Sequence, residues 1–193
     1  MQEVTPEWQM AFQGDAVTLD VGDAVALTAA DWLAMRALAE RGGAHALEQN
    51  ALDKGPYYGV WRDGALVSMA GTHLALDCVR PILQDRCFLC KNFLSSEQAL
   101  FGSDLFGIGE IGNVVTDPDC RRRGYASLAV AATTRALRAQ GLQVILHVYQ
   151  SNTGAIACYE RLGFERTREM YLVRFVVDQP GLGPWRLGQI ADN

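Results

Sequence analysis

The sequence is poor in lysine, in long apolar runs and in anything resembling a leader, and each shortage excludes something. Only Lys54 and Lys91 are lysines among 17 basic residues, and 22 acidic residues leave a net charge of −5. A general nucleic-acid binder neutralises phosphates with a basic surface, so no nucleic-acid partner is expected. One local anion site remains compatible with that balance. No apolar run approaches the ~18 residues that a membrane-spanning helix requires, so no membrane partner is expected. Met1–Pro6 offers neither a basic n-region nor an apolar h-region; no secretory signal is read, and a cytoplasmic location with reduced thiols is the expectation. Cysteine is present in odd number, at 78, 87, 90, 120 and 158. Cys87 and Cys90 have CxxC spacing, but a zinc site needs a fourth ligand and usually a second close pair, so no metal is expected.

What is present is the composition of a globular domain, with 193 residues, 49% hydrophobic and 20% charged, enough to bury a core without staples. Trp8–Phe12 reads as a short strand. Thr28 and Asp31 have capping-box spacing ahead of a helical pattern that Gly42-Gly43 stops. A second short helix is expected over Ala44–Leu52. Tyr57–Arg62 and Ala65–Ala75 read as strands joined by an Asp63-Gly64 type I′ turn. Residues 77–107 are less regular, with a helix expected near Ser95–Leu100. Glu110–Thr116 is a strand, Tyr125–Gln140 an Ala-rich helix, Gln143–Tyr149 a strand, Thr153–Leu162 a helix and Arg168–Val177 a last strand. These alternating elements predict a single α/β domain over 1–193, with a core of about 22–177, an irregular insert of about 77–107 and a tail of about 178–193.

Two stretches carry chemistry. Arg121-Arg122-Arg123-Gly124-Tyr125-Ala126 follows a strand and a Pro-containing turn and opens a long helix. The first N–H groups of a helix are unpaired and carry positive partial charge, which suits an anion the size of a pyrophosphate. Gly124 has no Cβ to hold a phosphate off the backbone. A solvated basic helix start is the plain alternative. Asn152 stands at a strand-to-helix junction, where its amide either caps the helix or meets a ligand. Tyr159 follows about two turns, or ~10 Å, further along. With Ile156 and Leu162 it forms one stripe, which by itself favours core packing.

Taken together, Arg-x-x-Gly-x-Ala, a strand, and Asn-x6-Tyr-x3-Gly-Phe resemble the GNAT superfamily of N-acetyltransferases, over roughly 22–177 and most strongly from Glu110 to Phe164. Leu146-His147-Val148 and the Glu110–Thr116 strand resemble the branch containing the C-terminal domains of glycine N-acyltransferases. The resemblance implies a mixed, mostly antiparallel central sheet flanked by helices, with two splayed parallel strands forming the acetyl-CoA cleft. It implies that Val114, Val115 and Thr116 pair with the pantetheine arm. Backbone N–H groups of Arg121, Arg122, Arg123, Gly124, Tyr125 and Ala126 would hold the pyrophosphate, and Asn152 would contact the pantetheine region. Tyr159 would protonate the departing thiolate of coenzyme A, and Glu110 or His147, with Glu110 favoured, would take the proton of an amine-bearing acceptor. Ala126 stands where the family tends to have Gly, and the insert is longer than usual. A non-catalytic acyl-CoA sensor and a pure interaction domain are the competing readings. Homodimerisation through an edge strand such as Trp8–Phe12 or Tyr171–Val177 is left open.

Overall fold

The computed structural model describes residues 2–44, 47–77 and 107–175. The expected insert between Asp77 and Gly107, with its helix and Cys78, Cys87 and Cys90, and the tail beyond Phe175 lie outside these residues. Seven strands form one sheet: β1 (Gln2–Phe12), β2 (Val25–Ala26), β3 (Tyr57–Arg62), β4 (Ala65–Asp77), β5 (Gly107–Thr116), β6 (Leu142–Tyr149) and β7 (Phe164–Phe175). Their order is β2-β3-β4-β5-β6-β1-β7. Every pairing is antiparallel except β5 with β6, which is parallel. The helices are α1 (Trp32–Gly42), α2 (Tyr125–Ala139) and α3 (Thr153–Arg161).

Local chemistry explains most boundaries. Asp31 accepts from the Thr28 N–H at 2.8 Å, closing the capping box before α1. Gly43 ends that helix at φ 80°. Asp63 and Gly64, at φ 50° and 74°, make the tight turn between β3 and β4, as a type I′ turn demands. The helix expected over Ala44–Leu52 is not formed by the described residues there; a single 3-10 turn at Ala51–Asp53 replaces it. β1 is longer than the Trp8–Phe12 segment because β7 pairs it back to Gln2. It is also an interior strand, with β6 on one side and β7 on the other, so the edge role considered for Trp8–Phe12 is excluded and β7 is the edge on that side.

Side chains alternate between two covered faces. Met10, Ile111, Val144, Leu146 and Val148 meet Ala129, Val130 and Leu137 of α2 and Ile156 and Tyr159 of α3. On the other face, Tyr57, Met69 and Val115 pack against Met35 and Leu38 of α1, while Ala11, Ile108 and Ile145 form a smaller group. Phe164 is 2% exposed and packs edge-on to Phe12, with ring centroids 5.3 Å apart. Truncating it to alanine is expected to cost about 3–5 kcal/mol, read as a lower urea midpoint at unchanged m-value.

Candidate active site

The parallel ladder between β5 and β6 stops early. It runs from Gly107–Leu142 to Ile111–Leu146 and no further. Beyond that point β5 stays with β4, Val115 opposite Met69 and Thr116 opposite Ser68. Meanwhile β6 stays with β1, His147 opposite Gln9 and Val148 opposite Trp8. The two strands therefore part, and Gly112–Thr116 have no partner on β6. A bulge accompanies the parting: between Met69 and Gly71 of β4, β5 carries one residue more than its partner. Asn113 lies in it at φ 50°, a conformation that asparagine tolerates better than most residues. Its Nδ2 donates to the buried Tyr57 hydroxyl at 2.9 Å, which fixes the bulge. Val114, Val115 and Thr116, expected to meet the pantetheine arm, all lie on this divergent stretch.

The chain leaves β5 through a turn pinned by Asp117, which accepts from the Asp119 N–H at 3.1 Å and from Arg41 Nε at 2.8 Å. The Arg41 guanidinium holds the Asp117 carboxyl below the usual carboxylate range. Arg121, Arg122, Arg123 and Gly124 follow, all exposed, with Arg122 at φ 61° and Gly124 at φ 82°. Gly124 is the N-cap of α2 and no side chain caps that helix. The space that a Gly124 Cβ would enter is open to 4 Å. Uncapped N–H groups, three guanidinium groups and open space fit a pyrophosphate, on the observation that no side chain among the described residues caps this helix end.

Asn152 caps α3, accepting from the Ala155 N–H at 3.2 Å. Of the two roles open to it, the helix cap is the one formed here. Tyr159 is 6% exposed and its ring centroid lies 6.1 Å from that of Phe164. Burial, and then the Cys158 thiol, push its phenol above the ordinary tyrosine value. Cys158 itself lies 3.0 Å from the Ser127 hydroxyl of α2.

Glu110 and His147 come together. His147 Nδ1 lies 2.8 Å from Glu110 Oε1, with the side chains 22% and 19% exposed. When Glu110 is a carboxylate it can only accept, and the proton of this contact is then on Nδ1. The other ring nitrogen, Nε2, is buried without a hydrogen-bond partner among the described residues, as is Nε2 of Gln9. An unsatisfied buried polar atom costs roughly 1–3 kcal/mol, which makes such atoms rare. The pair leaves the face of the sheet opposite α2 and α3, because Ile111, Leu146 and Val148 beside them point to those helices. Tyr159 lies on the helix side. Sequence reasoning singled out neither Gln9 nor Asn113; the only hint at Gln9 was one amide inside the apolar run Trp8–Phe12.

Residues 104–173, which contain the parting strands, the arginine loop, α2 and α3, match the family model of FR47-like proteins. A solved GNAT-family protein from Novosphingobium aromaticivorans superposes with a TM-score of 0.66 at 29% identity, covering 89% of this chain and 63% of that one. This chain has the GNAT fold. Mycothiol acetyltransferase of Saccharomonospora viridis is 46% identical over 59 residues, 30% of this chain and 19% of its own length. The chain thus spans about a fifth of the length of such relatives. The GNAT fold is also shared with an aminoglycoside N-acetyltransferase solved in complex with CoA, at TM-score 0.53 and 16% identity, covering 83% of this chain and 100% of that one. Among the described residues no group of three His, Cys, Asp or Glu side chains could hold a metal ion, and no helix is long and apolar enough to cross a membrane.

Proposed function

We propose that this chain is an N-acetyltransferase that passes the acetyl group of acetyl-CoA to a primary amine by direct attack in a ternary complex. The observation that carries the reading is the parting of β5 from β6 after Ile111–Leu146, followed at once by an uncapped helix start behind Arg121–Gly124. Acetyl-CoA supplies an activated acetyl thioester. The chain's residues supply the rest. Backbone N–H groups from Arg121 to Ala126 hold the pyrophosphate, and the free edge at Val114–Thr116 pairs with the pantetheine amides. A backbone N–H on that edge faces the thioester oxygen as it gains charge. Asn152 keeps the start of α3 in place beside the arm.

The two faces of the sheet divide the proton work. An ammonium group must lose its proton before its nitrogen can attack. Glu110, backed by His147, takes that proton on one face, and Tyr159 serves the sulfur from the other. Because the phenol is held above its ordinary value, Tyr159 keeps its proton and stabilises the departing thiolate as a hydrogen-bond donor. Full transfer to a thiolate of ordinary basicity, near ~8.5, runs uphill from a phenol above ~10. Of the two protons that a primary ammonium loses on becoming an amide, one ends on the sulfur and one in solvent. The Glu110–His147 contact and the buried tyrosine speak for turnover and against a silent acyl-CoA sensor.

Calorimetry with coenzyme A, then thiol release from acetyl-CoA with a panel of amino acids, polyamines, aminoglycosides and peptide N-termini, tests the reading. A protein that binds no coenzyme A, or that binds it and turns over no amine, would sink it. Within an active panel, Glu110→Gln is expected to lower kcat/KM by ~10²-fold or more, and His147→Gln by less. A larger loss in His147→Gln, with Glu110→Gln near the parent, would move the proton acceptor to the imidazole.

A further inference from the structure

The two buried nitrogens without partners are neighbours. Gln9 of β1 and His147 of β6 are antiparallel register partners, and directly opposed residues leave the same face of a sheet with Cβ atoms only ~4.5–5.5 Å apart. Gln9 is 3% exposed. Its own amide is oriented from the other side. The Thr167 hydroxyl of β7 lies 3.3 Å from Gln9 Oε1 and 3.2 Å from the Gln9 carbonyl oxygen. Thr167 is the extra residue of a bulge, since Gln9 pairs with Arg168 while Met10 pairs with Arg166. Bulges re-aim side chains in this way next to functional sites. With Oε1 accepting from Thr167, the Gln9 Nε2 group is left to donate. With Nδ1–H donating to Glu110, the His147 Nε2 is left to accept. The two orphans are complementary in kind as well as adjacent.

We infer that Thr167, Gln9, His147 and Glu110 form one directional hydrogen-bond chain across four neighbouring strands, β7, β1, β6 and β5, which positions the Glu110 carboxylate for proton acceptance. The inference rests on the reading of this cleft as an acyl-transfer site. Two links are formed and donate toward Glu110, Thr167 O–H to Gln9 Oε1 (shared with the Gln9 carbonyl oxygen) and His147 Nδ1–H to Glu110 Oε1; the third, Gln9 Nε2–H to His147 Nε2, joins two atoms that are adjacent and still unpaired among the described residues. The chain closes when the Gln9 amide reaches the imidazole, directly or through one water. It fixes the imidazole as its Nδ1–H tautomer and occupies Oε1, so the proton drawn from the acceptor ammonium goes to Oε2. Glu110 is the group that meets the substrate. His147, Gln9 and Thr167 are positioning residues.

The test reads the imidazole itself. In protein labelled with ¹⁵N in histidine, with the His147 signals assigned by their loss in His147→Gln, Nδ1 is expected to be protonated and Nε2 bare and hydrogen-bonded. Gln9→Leu is expected to shift Nε2 to the position of an unbonded ring nitrogen. Thr167→Val, at an exposed position that tolerates change, is expected to shift it in the same direction, and Thr167→Ser to restore the parental signal. With acetyl-CoA and the amine panel, Gln9→Leu is expected to lower kcat about tenfold to a hundredfold, leaving KM for acetyl-CoA unchanged. A His147 ring protonated on Nε2 instead of Nδ1 would overturn the chain, as would an Nε2 signal that ignores both Gln9→Leu and Thr167→Val. Should Gln9→Leu fail to fold, the Thr167 pair decides alone. Calorimetry with coenzyme A separates the two readings: a parent that binds it but shows the wrong tautomer loses only the chain, and a parent that does not bind it loses the acyltransferase.

Discussion

Gly124→Asp is expected to abolish coenzyme A binding while leaving the fold intact. A Cβ at this position meets nothing within 4 Å, so the aspartate displaces no neighbour. The φ of 82° is a left-handed value, which aspartate bears better than most residues. What changes is the charge facing the pyrophosphate. Two unit charges about 4 Å apart repel by roughly 1–4 kcal/mol at dielectric values between those of water and a protein surface. Two phosphate groups are involved, and the side chain also fills the space through which they approach the N–H groups. A Gly124→Asn variant shares the shape and the left-handed tolerance without the charge, so it should bind more weakly than the parent and better than the aspartate. Calorimetry with coenzyme A and a thermal melt check both statements. Parental affinity in a folded aspartate variant would mean that the phosphates lie elsewhere.

Tyr159→Phe should retain the fold and coenzyme A affinity and lose ~10²-fold in kcat with amine substrates, as expected when one donor to a developing charge is removed. The ring carries the packing, with Phe164 on one side and the α2–α3 cluster around it, and phenylalanine preserves the ring. The pH dependence has a definite sign. The phenol is raised above its ordinary value by burial. The donor is therefore present throughout the neutral range and is lost only as pH rises through that raised value. An alkaline fall of kcat below about pH 10 should then look alike in parent and variant. A parental kcat in the variant, with chemistry shown to limit the rate, would return Tyr159 to the core alone.

Those two residues were legible because their chemistry is local. Arg121 to Ala126 and Asn152 to Phe164 are each short runs whose spacing sets their own helix geometry, and the strand between them is read from its apolar alternation. Gln9, Asn113 and Thr167 were not legible, each for a physical reason. Gln9 matters because residue 147 lies opposite it, and register between segments that far apart is not written in either one. Asn113 and Thr167 sit in bulges, which interrupt the period of two that makes a strand recognisable. The first residues of β1 were hidden by Pro6. Pairing with β6 ends at Glu7, and Pro6 stands where β1 keeps only β7 as a partner, the kind of one-sided position that proline tolerates. Conversely, the helix expected over Ala44–Leu52 is short, and short helices have little stability of their own.

The irregularity that opens the cleft has a counterpart. Where β5 gains a residue near Asn113, β4 gains one at His73, between Thr72 and Leu74. In the language of crystals these are two dislocations of opposite sign, a few residues apart, enclosing only the Gly71–Gly112 and Thr72–Ile111 pairs. Outside them the lattice is undisturbed: Ser68 meets Thr116 and Leu76 meets Ile108 in the same phase. Each defect by itself shifts the pairing of its strand by one residue against its neighbour. Two that annihilate at a distance confine the disturbance to the place where the sheet must admit a ligand. The strands on either side can therefore vary as ordinary strands, while the opening itself can be lost or moved only by changing both defects together.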